Sequence, residues 1–426
     1  MTTVLHSSLD LFSVKLEQHE IMGRREIPHK PTTSLDSATT IEFHVRDGGS
    51  ATYKDLSSAR LSLKVKLTKL DGSDYTSSDE DQPGVVNNIL HSMFSQCNVE
   101  MNGHLVTPFE SNYHYRAYLE TILNYGLDAS NTHLKCAGWV LDGEGEDLEN
   151  EGYAERKKMF KNSRVVQLEG RIFSDVLNQE KFMLNGVDVK MKFSLAKDAF
   201  YIKEKSQQSK LKILDATLYM THYNVSHTRL LSDEKYLLTN NAVYPYRRTD
   251  IKTFTIQRGV RYFNQGGLVQ GKLPIRILFA MISHDVYVGS CTKNPFKLQH
   301  FNITNYCLYY NGQPIPSQGL EMSFDNLTGF YTHAYLSMIN GIGNLHSDRG
   351  NTITKEMFAK GYFIIVQDLT PDGSSTEDHT SPAESGDLVV DITFASSLSA
   401  PAMLLMYAEY ESAIEVDKTR SVYLRF

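Results

Sequence analysis

Phe94-Ser95-Gln96-Cys97-Asn98-Val99-Glu100-Met101-Asn102-Gly103 reads as a strand that runs into an Asn-Gly turn. Both turn residues tolerate positive φ, which is what a tight hairpin needs. The same sentence is written again as Ile303-Thr304-Asn305-Tyr306-Cys307-Leu308-Tyr309-Tyr310-Asn311-Gly312, roughly 200 residues later. Shortly after each turn comes an Ala-Tyr-Leu segment, Arg116 to Leu119 and then His333 to Leu336. A Gly-led strand ending in Phe follows, Gly186 to Phe193 in the first half and Gly386 to Phe394 in the second. Three elements recur in one order at nearly one spacing. The chain therefore reads as two copies of one unit.

The unit is made of strands. In Leu61 to Thr68 and in Val187 to Ser194 the apolar residues fall on every second position, so one face meets a core and the other meets water. Ile275 to Ile282 and Met403 to Ala408 are apolar on both faces, as in strands covered on two sides. Asn185-Gly186 and Asp71-Gly72 mark further tight turns. The turns expected to organise the two copies are Asn102-Gly103, Asn185-Gly186 and Asn311-Gly312. Many strands, frequent turns and few helical stretches imply an all-β protein of two tandem sandwiches.

The expected division is an N-terminal arm over 1–35, a first sandwich over 36–228, a linker over 229–243 and a second sandwich over 244–426. Pro28 and Pro31 interrupt the arm, and Leu230 to Lys235 reads as a short helix in the linker. The acidic Asp142 to Glu151 and the polar Thr370 to Gly386 read as insertions at sandwich ends.

Composition narrows the function. Lys plus Arg is 43 and Asp plus Glu is 50, a formal charge of −7 in 426 residues, which does not suit a protein that coats nucleic acid. No run approaches about 18 consecutive apolar residues, and the first residues show no secretory signal. The four cysteines, Cys97, Cys136, Cys291 and Cys307, form neither a disulfide framework nor a metal knuckle.

Chemistry-bearing motifs fail on inspection. Gly266 to Leu273 nearly spells a phosphate loop, but Leu273 replaces the Mg²⁺-binding hydroxyl and Pro274 follows where a helix should run. The acidic Asp142-Gly143-Glu144-Gly145-Glu146-Asp147 lacks the Gly and Glu positions of a calcium loop. Fifteen histidines supply no HExxH helix, and no nucleophile elbow is present. No catalytic residue, metal ligand or cofactor is assigned. Tyr244, Tyr246, Arg247 and Arg248 form an aromatic and basic cluster with the composition of a protein–protein interface. Trp139 and Tyr153 are the candidate aromatics for an alternative, a carbohydrate- or receptor-binding sandwich. A two-sandwich hydrolase is a further alternative, and no motif supports it.

At these same segments the sequence resembles the double-jelly-roll major capsid proteins of Polinton (Maverick) elements and adintoviruses. The residues that carry the likeness are Leu9 to Phe12, Asn87 to Gln96, Tyr115 to Thr121 and Tyr244 to Arg248, then Asn294 to Phe296, Asn311 to Pro316 and Asp368 to Asp372. The resemblance implies two eight-stranded jelly rolls in tandem. It also implies a hexon-like homotrimer with six jelly rolls that packs against neighbouring capsomers. Such trimers tile an icosahedral shell around double-stranded DNA, with a single-jelly-roll penton protein at the vertices. It implies a location in the virion, synthesis inside the host cell without a signal peptide, no enzyme activity and no sequence-specific binding of nucleic acid.

Overall fold

The computed structural model describes residues 17–425, apart from 37–38, 47–50, 108–111, 144–146, 206, 270, 326, 328, 349, 378 and 383. Leu9 to Phe12 and Glu144 to Glu146 lie outside the described residues.

The first half contains β1 (Ile21–His29), β2 (Thr40–Val45), β3 (Thr52–Lys69), β4 (Gly84–Val85) and β5 (Phe94–Met101). It continues with β6 (His104–Leu105), β7 (Val166–Arg171), β8 (Val189–Leu195), β9 (Ile202–Lys203) and β10 (Ser209–Val225). The second half contains β11 (Ala242–Ile256), β12 (Tyr262–Gln265), β13 (Arg276–Ser283), β14 (Ile303–Tyr310) and β15 (Gln313–Glu321). After these come β16 (Ile364–Asp368), β17 (Leu388–Phe394), β18 (Ala402–Val416) and β19 (Val422–Arg425).

Four of the sheets are the walls of two sandwiches. In the first the orders are β1-β10-β3-β7 and β2-β8-β5-β6; in the second they are β11-β18-β13-β16 and β12-β17-β14-β15. The ribbon β4-β9 and the terminal β19 are additions. Without them, the strands of each half, counted along the chain, occupy the same places. First, eighth, third and sixth make one sheet; second, seventh, fourth and fifth make the other. The two halves have one topology.

Side chains explain the layering. On β8, Val189, Met191 and Phe193 are wholly buried, while Lys190 between them reaches Glu42 at 3.3 Å on the outer side. Phe193 meets Phe43 edge-on and Phe94 at a tilt. In the second sandwich, Phe279 on β13 contacts Tyr306 on β14 across the core at 5.8 Å between ring centroids. Burial on both faces is found where the sequence is apolar on both, at β13 and in the first nine residues of β18.

The repeated turns behave alike. Asn102 and Gly103 have φ of 46° and 81°, and Asn311 and Gly312 have 48° and 82°. The Asn102 side chain accepts a hydrogen bond from the Asp188 backbone, and Asn311 accepts one from Asp387. The repeated turn and the repeated Gly-led segment thus touch in each copy. At Asn185-Gly186 only the glycine has positive φ, 75°. Gly103→Val or Gly312→Val is expected to destabilise by about 1–2 kcal/mol through backbone strain alone. A Cβ at either position meets nothing within 4 Å. Urea unfolding of the two variants checks this, and an unchanged midpoint for both contradicts the strain argument.

Two boundaries differ from expectation. The stretch expected as an arm contains β1, which pairs antiparallel with β10 from Ile21 to His29. Pro28 is accommodated because β1 is an edge strand and needs no donor on its outer side. The short helix expected at Leu230 to Lys235 is present and longer, His227–Leu237, capped by the Ser226 hydroxyl; what differs is the linker's end, since β11 already begins at Ala242.

The chain is also more helical than its turns and period-2 strands suggest. Helix α1 (Tyr113–Asn124) and helix α2 (Glu151–Met159) lie between β6 and β7; α3 is His227–Leu237, and α4 (Thr332–Gly341) lies between β15 and β16. The two Ala-Tyr-Leu segments are the cores of α1 and α4, at the same place in the topology.

Candidate functional site: the seam between the sandwiches

Helix α1 is buried on nearly every side, which requires a second layer beyond its own sandwich. The segment after β13 supplies that layer. Phe296 stacks on Tyr118 with centroids 4.2 Å apart and an interplanar angle of 6°. It meets Tyr115 and Phe200 edge-on, and Tyr287 stacks on Tyr115. Five aromatic rings, three from the first sandwich and two from the second, make an apolar plug.

Beside the plug runs a buried charged chain. Arg116 binds Asp175, and its Nε donates to Glu120 at 2.7 Å. Asp175 also accepts the backbone N–H of Thr249, across the seam, at 2.9 Å. The Tyr407 hydroxyl lies 3.2 Å from Glu120 and 3.1 Å from Glu409. Glu409 then accepts from Nη2 and Nε of Arg276, at 2.8 and 3.0 Å. A second clasp is built on Asp142. Its Oδ1 binds Arg156, its Oδ2 accepts from Asn294, and its backbone carbonyl accepts from the Tyr362 hydroxyl. The start of the acidic loop is therefore a structural fastener.

Three carboxylates share two guanidiniums in the first chain, so one negative charge is surplus in a buried place. Burial pushes both Glu120 and Asp175 above the usual carboxylate range. Both acids pair with Arg116, but Asp175 has the Thr249 N–H to itself while Glu120 shares the Tyr407 hydroxyl with Glu409, so a proton costs least on Glu120. The folded state keeps this proton at a pH where the unfolded chain, with a value near 4.5, has released it. This contribution to stability grows as pH falls from the raised value toward the ordinary one, and is lost as pH rises through the raised value. His91 and His114, depressed to about 3, and His300, depressed to about 4 by burial, act oppositely below about pH 6.5. The group is therefore isolated by difference: Glu120→Gln, which imitates the protonated acid, should gain stability over the wild type near pH 7 and lose that advantage toward pH 4.5. A wild-type-minus-variant difference that is flat with pH overturns the assignment.

Of the cluster expected as an interface between chains, the two tyrosines are buried within the molecule and Tyr244 lies at this seam, while Arg247 and Arg248 are half-buried and bind groups of their own sandwich. Tyr244 and Tyr246 are buried, and the Tyr244 hydroxyl accepts from the Leu184 backbone of the first sandwich. Arg247 donates to the Glu377 carbonyl, while Arg248 pairs with Asp250 and lies over the Tyr410 ring. Tyr244 joins the two halves of one molecule, because β11 leaves the α3 connection directly against the first sandwich. Trp139 and Tyr153 are buried too, so neither offers a ring to a glycan. Tyr153 spends its hydroxyl on the Lys203 carbonyl.

Gly266 to Val269 belong to the connection leading into β13, with no helix behind them to hold a phosphate. Among the described residues no three His, Cys, Asp or Glu side chains are arranged to hold a metal ion. No described helix is long and apolar enough to cross a membrane.

No family model matches the sequence. The uncharacterized protein F54H12.2 of Caenorhabditis elegans is 26% identical over 292 residues, 67% of this chain and 68% of that one. The fold is similar over its whole length to a chain of the Sputnik virophage, with TM-score 0.66 at 12% identity, covering 100% of this chain and 93% of that one. The mavirus major capsid protein gives 0.57 at 11% identity, covering 100% and 96%. A chain of the PBCV-1 virus capsid gives 0.56 at 9% identity, covering 97% and 99%. The chain is a double jelly roll.

Within the double jelly roll, the residues that sequence reasoning missed are those of the charged chain: Arg116, Glu120, Asp175, Arg276 and Glu409. One signal was available. Arg116 and Glu120 stand four apart in a segment that forms a helix, the spacing of an ion pair.

Proposed function

We propose that this chain is a major capsid protein of the Polinton and adintovirus kind. It trimerises, and the trimers tile an icosahedral shell around double-stranded DNA. The observation that carries the reading is one topology repeated within a single chain, alike from end to end to the mavirus major capsid protein and to a PBCV-1 capsid chain. A tandem repeat gives each molecule two near-equivalent edges, so a threefold block fits a sixfold lattice position. A permanent trimer calls for an interface of ~2,000–5,000 Å². The surroundings of such a protein would be a virion, neighbouring capsomers and a penton protein at the vertices.

The work done is assembly, with no chemical step. The perturbed carboxylates Glu120 and Asp175 are explained by fastening, whereas Asp142, Asn294 and Tyr362 of the second clasp line a cavity of about 860 Å³ at the seam. Light scattering on the purified chain tests the proposal. It should give a particle of three chains, or closed shells in negative stain, that withstands dilution. A monomer at micromolar concentration overturns the reading.

A further inference from the structure

Away from the plug, α1 borders a second cavity, inside the first half. Thr121 and Tyr125, in and just past its last turn, share the lining of about 580 Å³ with β7 and the short helix His133–Ala137. Sites for drug-sized molecules span roughly 300–1,000 Å³.

The lining includes a buried donor with nothing to bind. Asn88 is 2% exposed, and among the described residues its Nδ2 meets no acceptor. Its backbone is fixed, with φ of 56° and ψ of 44° and its N–H donated to Asn87 Oδ1. A buried amide donor left unpaired is costly, so an acceptor delivered to it is strongly favoured.

The walls are aromatic. Three residues on from Asn88, His91 is buried, with Nδ1 3.0 Å from the Tyr113 hydroxyl. Phe173 meets the His91 ring edge-on with centroids 4.8 Å apart, and Tyr125 meets His133 edge-on at 5.9 Å. Gly170 of β7 contributes no side chain. A Cβ there would come within 3.3 Å of Ala137 and 3.6 Å of His91, both of which line the cavity. Rings and a bare glycine leave room for a flat apolar body.

Two guanidiniums complete the lining, and they differ. Arg60 gives its Nε to Glu169 and its Nη2 to Glu26. Arg171 is exposed, and its partners are neutral: the Tyr125 hydroxyl at 3.2 Å and the Asn178 side-chain oxygen. Among the described residues no carboxylate pairs with Arg171. Its charge is felt at the buried His91 ring, where burial first and Arg171 second depress the pKa to about 3. A buried donor, aromatic walls and an uncompensated cation thus line one cavity.

We propose that this cavity binds a small aromatic carboxylate carrying an oxygen acceptor at the far end of its ring system. The carboxylate pairs with Arg171, the rings lie among Phe173, Tyr125 and His133, and the far oxygen accepts from Asn88 Nδ2. A molecule seated there touches α1, β7 and the His133–Ala137 helix at once, so its binding stabilises the fold by mass action. The site does not depend on the building-block reading.

The test uses 6-hydroxy-2-naphthoate and the full chain. Calorimetric titration gives the affinity, and alkylation of Cys136 gives the place. Cys136 lines the cavity and is exposed, whereas Cys291 is half-buried and outside the lining. At about ten times its Kd the acid should slow Cys136 alkylation about tenfold and leave Cys291 unchanged. Arg171→Gln should weaken binding about tenfold or more, the scale of a hydrogen bond to a charged group. Asn88→Gly, which suits the left-handed backbone, should weaken it about three- to tenfold. 2-Naphthoate, without the far oxygen, should bind the wild type and Asn88→Gly alike. Absence of binding up to about 1 mM, or binding that leaves Cys136 alkylation unchanged, overturns the inference. Equal affinity for the neutral 6-hydroxy-2-naphthamide also overturns it, and this control on the wild type holds if a variant melts early. A monomeric chain that binds the acid supports the site while sinking the building-block reading; trimers that ignore the acid do the reverse.

Discussion

Replacing Asp175 by Ala should cost about 3–5 kcal/mol, because it strips one buried acceptor from both the Arg116 guanidinium and the Thr249 N–H and leaves a cavity that water does not fill. Arg116 would keep only Glu120, and the Thr249 N–H would lose its acceptor across the seam. The loss concerns the join more than either sandwich, so urea unfolding should separate into two steps where the wild type gives one. Asp175→Asn retains an acceptor for Thr249 and should lose less. A single transition, displaced by under about 1 kcal/mol, would mean that the network contributes little. The plain reason would then be that desolvation cancels its attraction.

The second large effect is expected at Phe296. Its ring is 1% exposed and packs on Tyr118, Tyr115 and Phe200. Phe296→Ala should cost about 3–5 kcal/mol for the lost contacts and the cavity left behind. Phe296→Leu should recover much of this, since it refills most of the volume. Limited proteolysis gives an independent reading: cleavage in the connection near α3 should accelerate in the Ala variant and stay slow in the Leu variant. Equal protease resistance in both would place the plug outside the forces that join the halves. Asp175→Ala and Phe296→Ala act on opposite sides of one helix, α1, so their costs should combine non-additively.

How far the sequence foretells this molecule depends on the range of the forces involved. Alternation in β8 and the Asn-Gly turns are local, set by neighbouring residues, and they are legible. The correspondence of the two halves is legible because the repeated turn and the repeated Gly-led segment are in contact in each copy. Helix α1 is hidden because its charged residues, Arg116 and Glu120, are buried along with its apolar ones, so its polar face meets the seam and not solvent. The strand β1 is hidden because edge position excuses the proline that would otherwise exclude it. Seam chemistry is the least legible part: Glu120 and Tyr407 meet although they lie 287 positions apart. Several residues behind the family resemblance prove to be fasteners. Asn294 reaches Asp142, Asn87 accepts from the Val140 backbone, and Asp368 caps the turn at Thr370. Tyr244 and Tyr246 were misassigned because burial inside a chain and burial between chains ask for the same side chains.

The plug and the charged chain, taken together, deny the molecule an internal hinge. Tilting one half against the other would unstack Phe296 and pull the Thr249 N–H off Asp175 at the same time, so the pair moves as a plank. Any curved surface paved with such planks must take its bend at the gaps between them, and its radius is then set by the joints and by whatever fills them.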